Sequence, residues 1–187
     1  SLLRNLDRDK FEPNLIVLSD TGSLSGERSS GTPVFDLGKP RLRAALPSLF
    51  GAVRRIKPDI LYSTMHHTNV AVLALGLFLP SVKIVVRESN TPSMSLPDLR
   101  YGGLLRVAYR FLYPRAASIV CPSTLIRREL EREFHVPRDR LVLLPNPVNT
   151  SGIRSVAGAP VRTPGPGHRF VAVGSLHRQK GFDLLIE

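Results

Sequence analysis

Hydrophobic positions along this chain switch between short continuous runs and helical spacing. The first suits strands buried in a sheet, and the second suits one face of a helix. Residues 14–19 (NLIVLS) form a β-branched run and predict a buried strand. A polar Gly/Ser-rich stretch follows over 20–33, and 34–37 predicts a second short strand. Leu42, Leu46, Leu49, Phe50, Val53 and Ile56 mark one helical face. Pro47 lies inside that stretch, so the helix is expected to begin or kink there, since proline is tolerated in a first turn and costly beyond it. Pro58 and Asp59 break the pattern, and 60–63 is strand-like. Residues 68–79 read as a mostly buried helix, 82–86 (VKIVV) as an interior strand, and 88–98, with its two prolines, as a loop. Leu104, Leu105, Ala108, Phe111 and Leu112 form the next helical stripe, followed by a strand at 118–121 (SIVC). Ser123 is placed to cap a helix whose inner face is Ile126, Leu130 and Phe134. A last short strand at 141–144 ends at Pro145-Asn146-Pro147.

Strands alternating with helices predict βαβ units, hence an α/β fold on a parallel sheet. Runs such as VKIVV and SIVC fit parallel strands covered on both faces. The composition turns to Gly, Pro, Ala and Ser over 151–168, which predicts a linker, and 169–174 (RFVAVG) begins a new sheet. The first residues read as the tail of a helix already under way, and the last as a helix pattern without a stop signal. The chain is therefore expected to be a fragment of something longer. Its most apolar stretch, 70–80, falls short of the roughly 20 residues a bilayer core requires.

Composition narrows the classes. At 187 residues with 42% hydrophobic side chains, the chain can bury a core, which rules out a disordered polymer or a coiled coil. The single Cys121 excludes a disulfide framework and a cysteine zinc cluster, and suits a reducing cytosol. A net charge of +11 favours anionic partners: nucleic acid, an anionic membrane face or phosphorylated substrates. A basic surface that only confers solubility fits the same number.

Candidate chemistry collects where strands end, since ligands of open parallel sheets bind beyond the carboxyl edge. After the strand ending at Gly174 comes a short basic loop with Arg178 and Lys180, then Gly181 before a helix. Turn amides and a helix start suit an anion there, although an ordinary turn with a solvated lysine fits equally. His66 and His67, just past 60–63, offer an acid, base or substrate ligand, or a structural role. Arg87, Glu88, Ser89 and Asn90 leave the interior strand together; Arg87 and Glu88 are equally readable as a surface ion pair. Neither a GxxxxGK[ST] loop nor a GxGxxG turn occurs, which argues against a P-loop NTPase and a dinucleotide oxidoreductase.

Four segments, in order, resemble family-four glycosyltransferases of the GT-B type. VAVGSLHRQKGFDLLIE is similar to the opening of that family's donor-binding domain, and RIKPDILYSTMHHTNVAVLA to its "kPDiih…h…aN" segment. IVCPSTLIRREL and VLLPNPVN are similar to its "v-i-a-x-S-x-x-x-r-x-l" and "v-i-p-N-g-v-d" elements. The resemblance implies a Rossmann-like acceptor-side domain over 1–150 without its first strand, a linker over 151–168, and the truncated start of a donor-binding domain over 169–187. It implies a retaining, metal-independent transferase with no cofactor, a nucleotide-sugar as co-substrate, and a glycan or lipid-linked acceptor of cell-envelope polysaccharide synthesis. Gly174 and Ser175 would present the donor site, with Arg178 and Lys180 on its diphosphate. His66, His67 and Glu88 would serve as catalytic groups beside Asn90 on the acceptor side, and Asn146 would belong to the hinge.

Two departures stand out: Ser175 replaces the family's arginine, with Arg178 as the compensating cation, and Pro147 replaces a glycine. The family's first strand and glycine-rich loop would precede Ser1, and its spaced Glu pair would follow Glu187. This chain alone is therefore expected to lack activity. The resemblance also implies a cytoplasmic protein, peripheral at the inner membrane face. There an anionic surface would meet a basic stripe of Arg54, Arg55, Arg100, Arg106, Arg110 and Arg115. The competing readings are a basic polyanion-binding or nucleic-acid module, disfavoured by the absence of Trp and only 4 Tyr, and a non-catalytic remnant.

Overall fold

Short parallel strands alternate with helices in the computed structural model, which describes residues 3, 5–20, 31–97, 99, 101–157, 172–174 and 181–186. β1 (Leu15–Val17) pairs with β2 (Val34–Asp36) as a two-stranded parallel sheet. Helix α1 (Leu42–Ile56) leads to β3 (Ile60–Thr64), and α2 (His66–Gly76) to β4 (Lys83–Arg87). A short α3 (Pro92–Ser95) and then α4 (Gly102–Leu112) precede β5 (Ser118–Cys121). Helix α5 (Thr124–Glu133) and a 3-10 turn at Arg138–Arg140 lead to β6 (Leu141–Leu143). Strands β3 to β6 form a second parallel sheet in the order β3-β4-β5-β6. The α/β architecture on parallel strands expected from the alternation, and the Rossmann-like fold that the resemblance implies, are those observed.

The core follows from the runs that predicted it. Ile84 and Val86 of β4 and Ile119 and Cys121 of β5 are buried, with Tyr109, Tyr113, Leu130 and Phe134 packed against them from α4, α5 and their ends. Gly76 at the end of α2 lets that helix lie directly on β4, because a Cβ there would sit 2.1 Å from Ile84 Cδ1.

Three expectations are corrected. Helix α1 starts at Leu42 and continues through Pro47 instead of starting at it. Its buried stripe is Ala45, Leu49, Ala52 and Val53, while Pro47 and the carbonyl of Arg43 that it leaves without a donor belong to exposed residues. Water can satisfy that carbonyl. The helix ends at Lys57, in a left-handed conformation with its N–H on Val53 O at 2.8 Å, just before Pro58. Helix α2 begins at His66, two residues earlier than expected, and ends at Gly76. The loop over 88–98 contains α3, whose first turn is held by Glu129: its carboxylate accepts from the Ser93 N–H at 2.5 Å and the Ser93 hydroxyl at 2.9 Å.

The chain divides into two units, Ser1–Asn146 and Pro147–Glu187. In the second, α6 (Thr150–Val156) occupies the beginning of the stretch expected as a linker. Asn149 caps it, its side chain accepting from the Gly152 N–H at 3.0 Å. Of the strand expected at 169–174, residues 172–174 are described and are not in a strand; α7 (Phe182–Ile186) follows Gly181. Among the described residues no helix is long and apolar enough to cross a membrane.

Candidate functional site

The carboxyl edge of the four-stranded sheet carries a connected set of polar side chains. Thr64 ends β3 and lies in register with Arg87, which ends β4. The Arg87 guanidinium donates to Ser89 Oγ at 3.1 Å and, through its other terminal nitrogen, to Asn146 Oδ1 on the segment after β6. Thr64 Oγ1 and Ser89 Oγ share a hydrogen bond of 3.3 Å. Three strand ends are thus joined through one half-buried arginine. Its two side-chain partners here are neutral, so its positive charge stays uncompensated by them. Thr64, Ser89 and Asn146 are exposed, and the set faces solvent.

Behind this rim lies a second, buried set. Glu88 is 1% exposed, and its Oε2 accepts from the hydroxyls of Tyr109 at 2.7 Å and Tyr113 at 2.6 Å, while Oε1 accepts from the Ser89 N–H at 3.1 Å. The two tyrosine rings stack at 3.9 Å between centroids. Burial, and then the Glu88 charge, push both phenols far above the usual tyrosine range, so they remain donors. Asn69, fully buried, completes the network. It donates to Arg87 O at 2.9 Å and Tyr113 Oη at 3.4 Å, and its Oδ1 accepts from Ser63 Oγ at 2.8 Å. The same surroundings, burial first and Glu88 second, push the Cys121 thiol up to about 11.

This geometry resolves how Arg87 and Glu88 are used. They do not make a surface ion pair: successive strand residues point to opposite faces, and the alternation of buried Ile84 and Val86 continues to Glu88. The carboxylate therefore lies among the tyrosines and does not reach the rim. It touches the rim only through the Ser89 N–H, while Asn69 holds the Arg87 carbonyl.

His66 and His67 occupy the first turn of α2, with ring centroids 5.0 Å apart in an edge-to-face arrangement. They follow Met65, whose φ of 78° is unusual for a side chain with a Cβ. Partial desolvation, and then the neighbouring His66, lower the His67 pKa, so its imidazole is neutral at pH 7. Asn90 is exposed just beyond Ser89. The edge thus gathers His66, His67, Asn90 and Asn146 near the carboxyl ends of β3, β4 and β6. In the other unit Gly174 is exposed, while Ser175, Arg178 and Lys180 lie outside the described residues. Among the described residues no group of three or more His, Cys, Asp or Glu side chains could hold a metal ion.

Sequence reasoning passed over Arg87, Thr64, Ser89, Asn69 and the tyrosine pair as a working set. Two signals were present: the period-two continuation from Ile84 through Val86 to Glu88, and tyrosines four residues apart at 109 and 113.

Residues 1–151 match the family model described as Glycosyltransferase Family 4. An uncharacterized glycosyltransferase of Methanocaldococcus jannaschii is 21% identical over 145 residues, an overlap of 72% of this chain and 36% of that relative. The chain thus spans little more than a third of the relative's length.

Proposed function

Because the chain belongs to glycosyltransferase family 4, we propose that it supplies the acceptor side of an enzyme that moves a sugar from a nucleotide-sugar to an acceptor hydroxyl. The observation that carries this reading is the solvent-facing rim of Thr64, Arg87, Ser89 and Asn146 at the carboxyl ends of the strands, where ligands of such sheets bind. Arg87 offers a fixed fork of donors whose charge its side-chain partners on the rim do not cancel, suited to orienting a hydroxyl-rich or anionic acceptor. Neutral His67 can accept the hydrogen bond of an acceptor hydroxyl. Glu88 is a positioning residue that fixes the end of β4.

On the donor side, Gly174 and Ser175 are proposed to present backbone to the nucleotide-sugar, with Arg178 and Lys180 on its diphosphate. Transfer leaves a nucleoside diphosphate, and fixed cations can neutralise its developing charge. A retaining, metal-independent reaction and a glycan or lipid-linked acceptor of envelope polysaccharide synthesis complete the reading, with the work done at the cytoplasmic membrane face.

The test is acceptor-dependent release of nucleoside diphosphate from a panel of nucleotide-sugars, using the protein that carries this chain. Arg87→Ala is expected to lower kcat/KM about a hundredfold, the scale of losing one well-placed charged donor. If no nucleotide-sugar supports acceptor-dependent release, or Arg87→Ala leaves kcat/KM unchanged, the reading fails.

A further inference from the structure

Asn69 is fully buried, and its amide ties β3, β4 and the end of α4 together behind the rim. It sits in the first turn of α2, where its N–H donates to Met65 O at 2.8 Å. Its Nδ2 donates to Arg87 O at 2.9 Å and, more weakly, to Tyr113 Oη at 3.4 Å, while Oδ1 accepts from Ser63 Oγ at 2.8 Å. Chemistry sets the orientation of the amide: a carbonyl only accepts, so the NH2 group must face Arg87 O. Burying a polar side chain is unfavourable unless its hydrogen bonds are made, and asparagine is among the weaker helix formers. Neither burial nor helix formation accounts for an asparagine at this position; its three side-chain contacts do.

The bond to Arg87 O bears on the rim because of where the ladder stops. Strands β3 and β4 pair as far as Thr64 and Arg87, and the chain then turns away from β3 through the positive φ of Met65. The peptide between Arg87 and Glu88 is pinned from two sides. Its N–H donates to Val120 O on β5 at 3.0 Å, and its carbonyl accepts from Asn69. That plane helps to set the direction in which the Arg87 side chain leaves the strand towards Ser89 and Asn146. Without Asn69 the peptide is held through its N–H and can tilt about that bond. The tilt is magnified at the guanidinium, which stands at the far end of a long side chain.

We propose that Asn69 is a positioning residue for the acceptor, which it never touches: it acts through the Arg87 backbone and aims the guanidinium. This rests on the reading of Arg87 as the group that orients the acceptor. At 0% exposed, Asn69 is out of reach of an acceptor on the rim. Asparagine suits the task because one short side chain must present a donor and an acceptor side by side. Aspartate would set a second acceptor against Arg87 O, and leucine would leave Arg87 O and Ser63 Oγ without this partner.

The experiment is acceptor-dependent release of nucleoside diphosphate by the protein that carries this chain, with acceptor and donor varied separately. Asn69→Ala should raise the acceptor KM about tenfold, since misplacing a group by about 1 Å costs up to about a hundredfold. The donor KM should stay unchanged. A merely structural role would lower kcat with the folded fraction and move neither KM. Because Asn69 acts through Arg87, Asn69→Ala/Arg87→Ala should be no worse in kcat/KM than Arg87→Ala alone, whereas independent losses would multiply. A second readout needs no acceptor. In a nitrogen-edited NMR spectrum the Arg87 Nε–H signal of Asn69→Ala should move towards its unfolded-state position, while core methyl signals such as those of Ile119 and Leu130 stay native. Ser63→Ala deletes only the donor to Asn69 Oδ1. It stands in should Asn69→Ala fail to fold, and should raise the acceptor KM a few-fold. The proposal is overturned if the folded variant keeps the wild-type acceptor KM and Arg87 signal, or if the losses in the double variant multiply. An Arg87→Ala variant with unchanged kcat/KM would overturn the reading of Arg87 as well; one that loses activity beside a silent Asn69→Ala would overturn the role of Asn69 alone.

Discussion

Removing one hydroxyl from the buried network measures what holds the candidate site in place. Tyr113→Phe keeps the ring, and with it the 3.9 Å stack on Tyr109, but deletes the 2.6 Å donor to Glu88 Oε2. Glu88 is 1% exposed, and its side chain is held by hydroxyl and amide donors with no cation among them. A hydrogen bond to a charged group contributes about 1.5–3 kcal/mol, and leaving a buried acceptor short carries a penalty of the same size. The Asn69 contact to Tyr113 Oη is also lost, but at 3.4 Å it is weak, and Asn69 keeps its 2.9 Å bond to Arg87 O. The expected cost is therefore about 2 kcal/mol. At about 2–4 °C per kcal/mol for a chain of this length, Tm should fall by roughly 4–8 °C.

Tyr109→Phe should behave alike. The double variant should lose about 4 kcal/mol or more, since the Ser89 N–H would be the remaining donor. Adding Glu88→Leu to the double variant should restore part of the loss, because replacing all partners by apolar groups removes the orphaned charge. Thermal unfolding at pH 7 followed by circular dichroism provides the readout. A Tyr113→Phe variant melting within about 1 °C of wild type would refute the reasoning, as would a triple variant weaker than the double.

Two pH-dependent outcomes follow from the same surroundings. His67 should titrate below the ordinary histidine range in an NMR titration. Its native pKa is lowered, so the unfolded chain binds the proton first. Stability is then full above the unfolded value near 6.5 and declines as pH falls below it, and His67→Gln should flatten that decline. Cys121, buried and with its thiol pushed up to about 11, should react slowly with a disulfide reagent at pH 8 and promptly once the chain is denatured. Stability should also fall as pH rises from about 9 towards 11, where the unfolded thiol ionises and the native one does not.

What the sequence disclosed depended on the range over which the cause acts. VKIVV and SIVC were visible as interior strands because continuous apolar runs suffice to define them, and β4 and β5 lie within a residue of those limits. Ser123 was legible because capping is local: its hydroxyl accepts from the Ile126 N–H at 3.3 Å. Helix α2 was placed too late because its start uses no polar cap; Met65 turns the chain through a positive φ, and nothing in the sequence marks that. α3 was missed because its first turn is held by Glu129, 36 residues away. The rim was hidden for the same reason, as Arg87 and Asn146 are 59 positions apart. Glu88 was visible as a carboxylate leaving a strand, but its burial depends on tyrosines 21 and 25 residues downstream. Local chemistry named the residues, and long-range packing decided their parts.

The separation of the two sheets has a consequence for how the molecule comes apart. Among the described residues, β1 and β2 form a ladder of three residue pairs with no strand of the larger sheet beside them, and none of the six residues is fully buried. Little apolar burial opposes opening of that ladder, so its amides should exchange with solvent long before those of β4 and β5. A protease arriving in the native state would meet this ladder before β4 and β5. The Arg87 rim and the tyrosine-bound carboxylate stand on the other sheet, so early damage would spare them. Wear and the candidate site thereby fall on different sheets of the first unit.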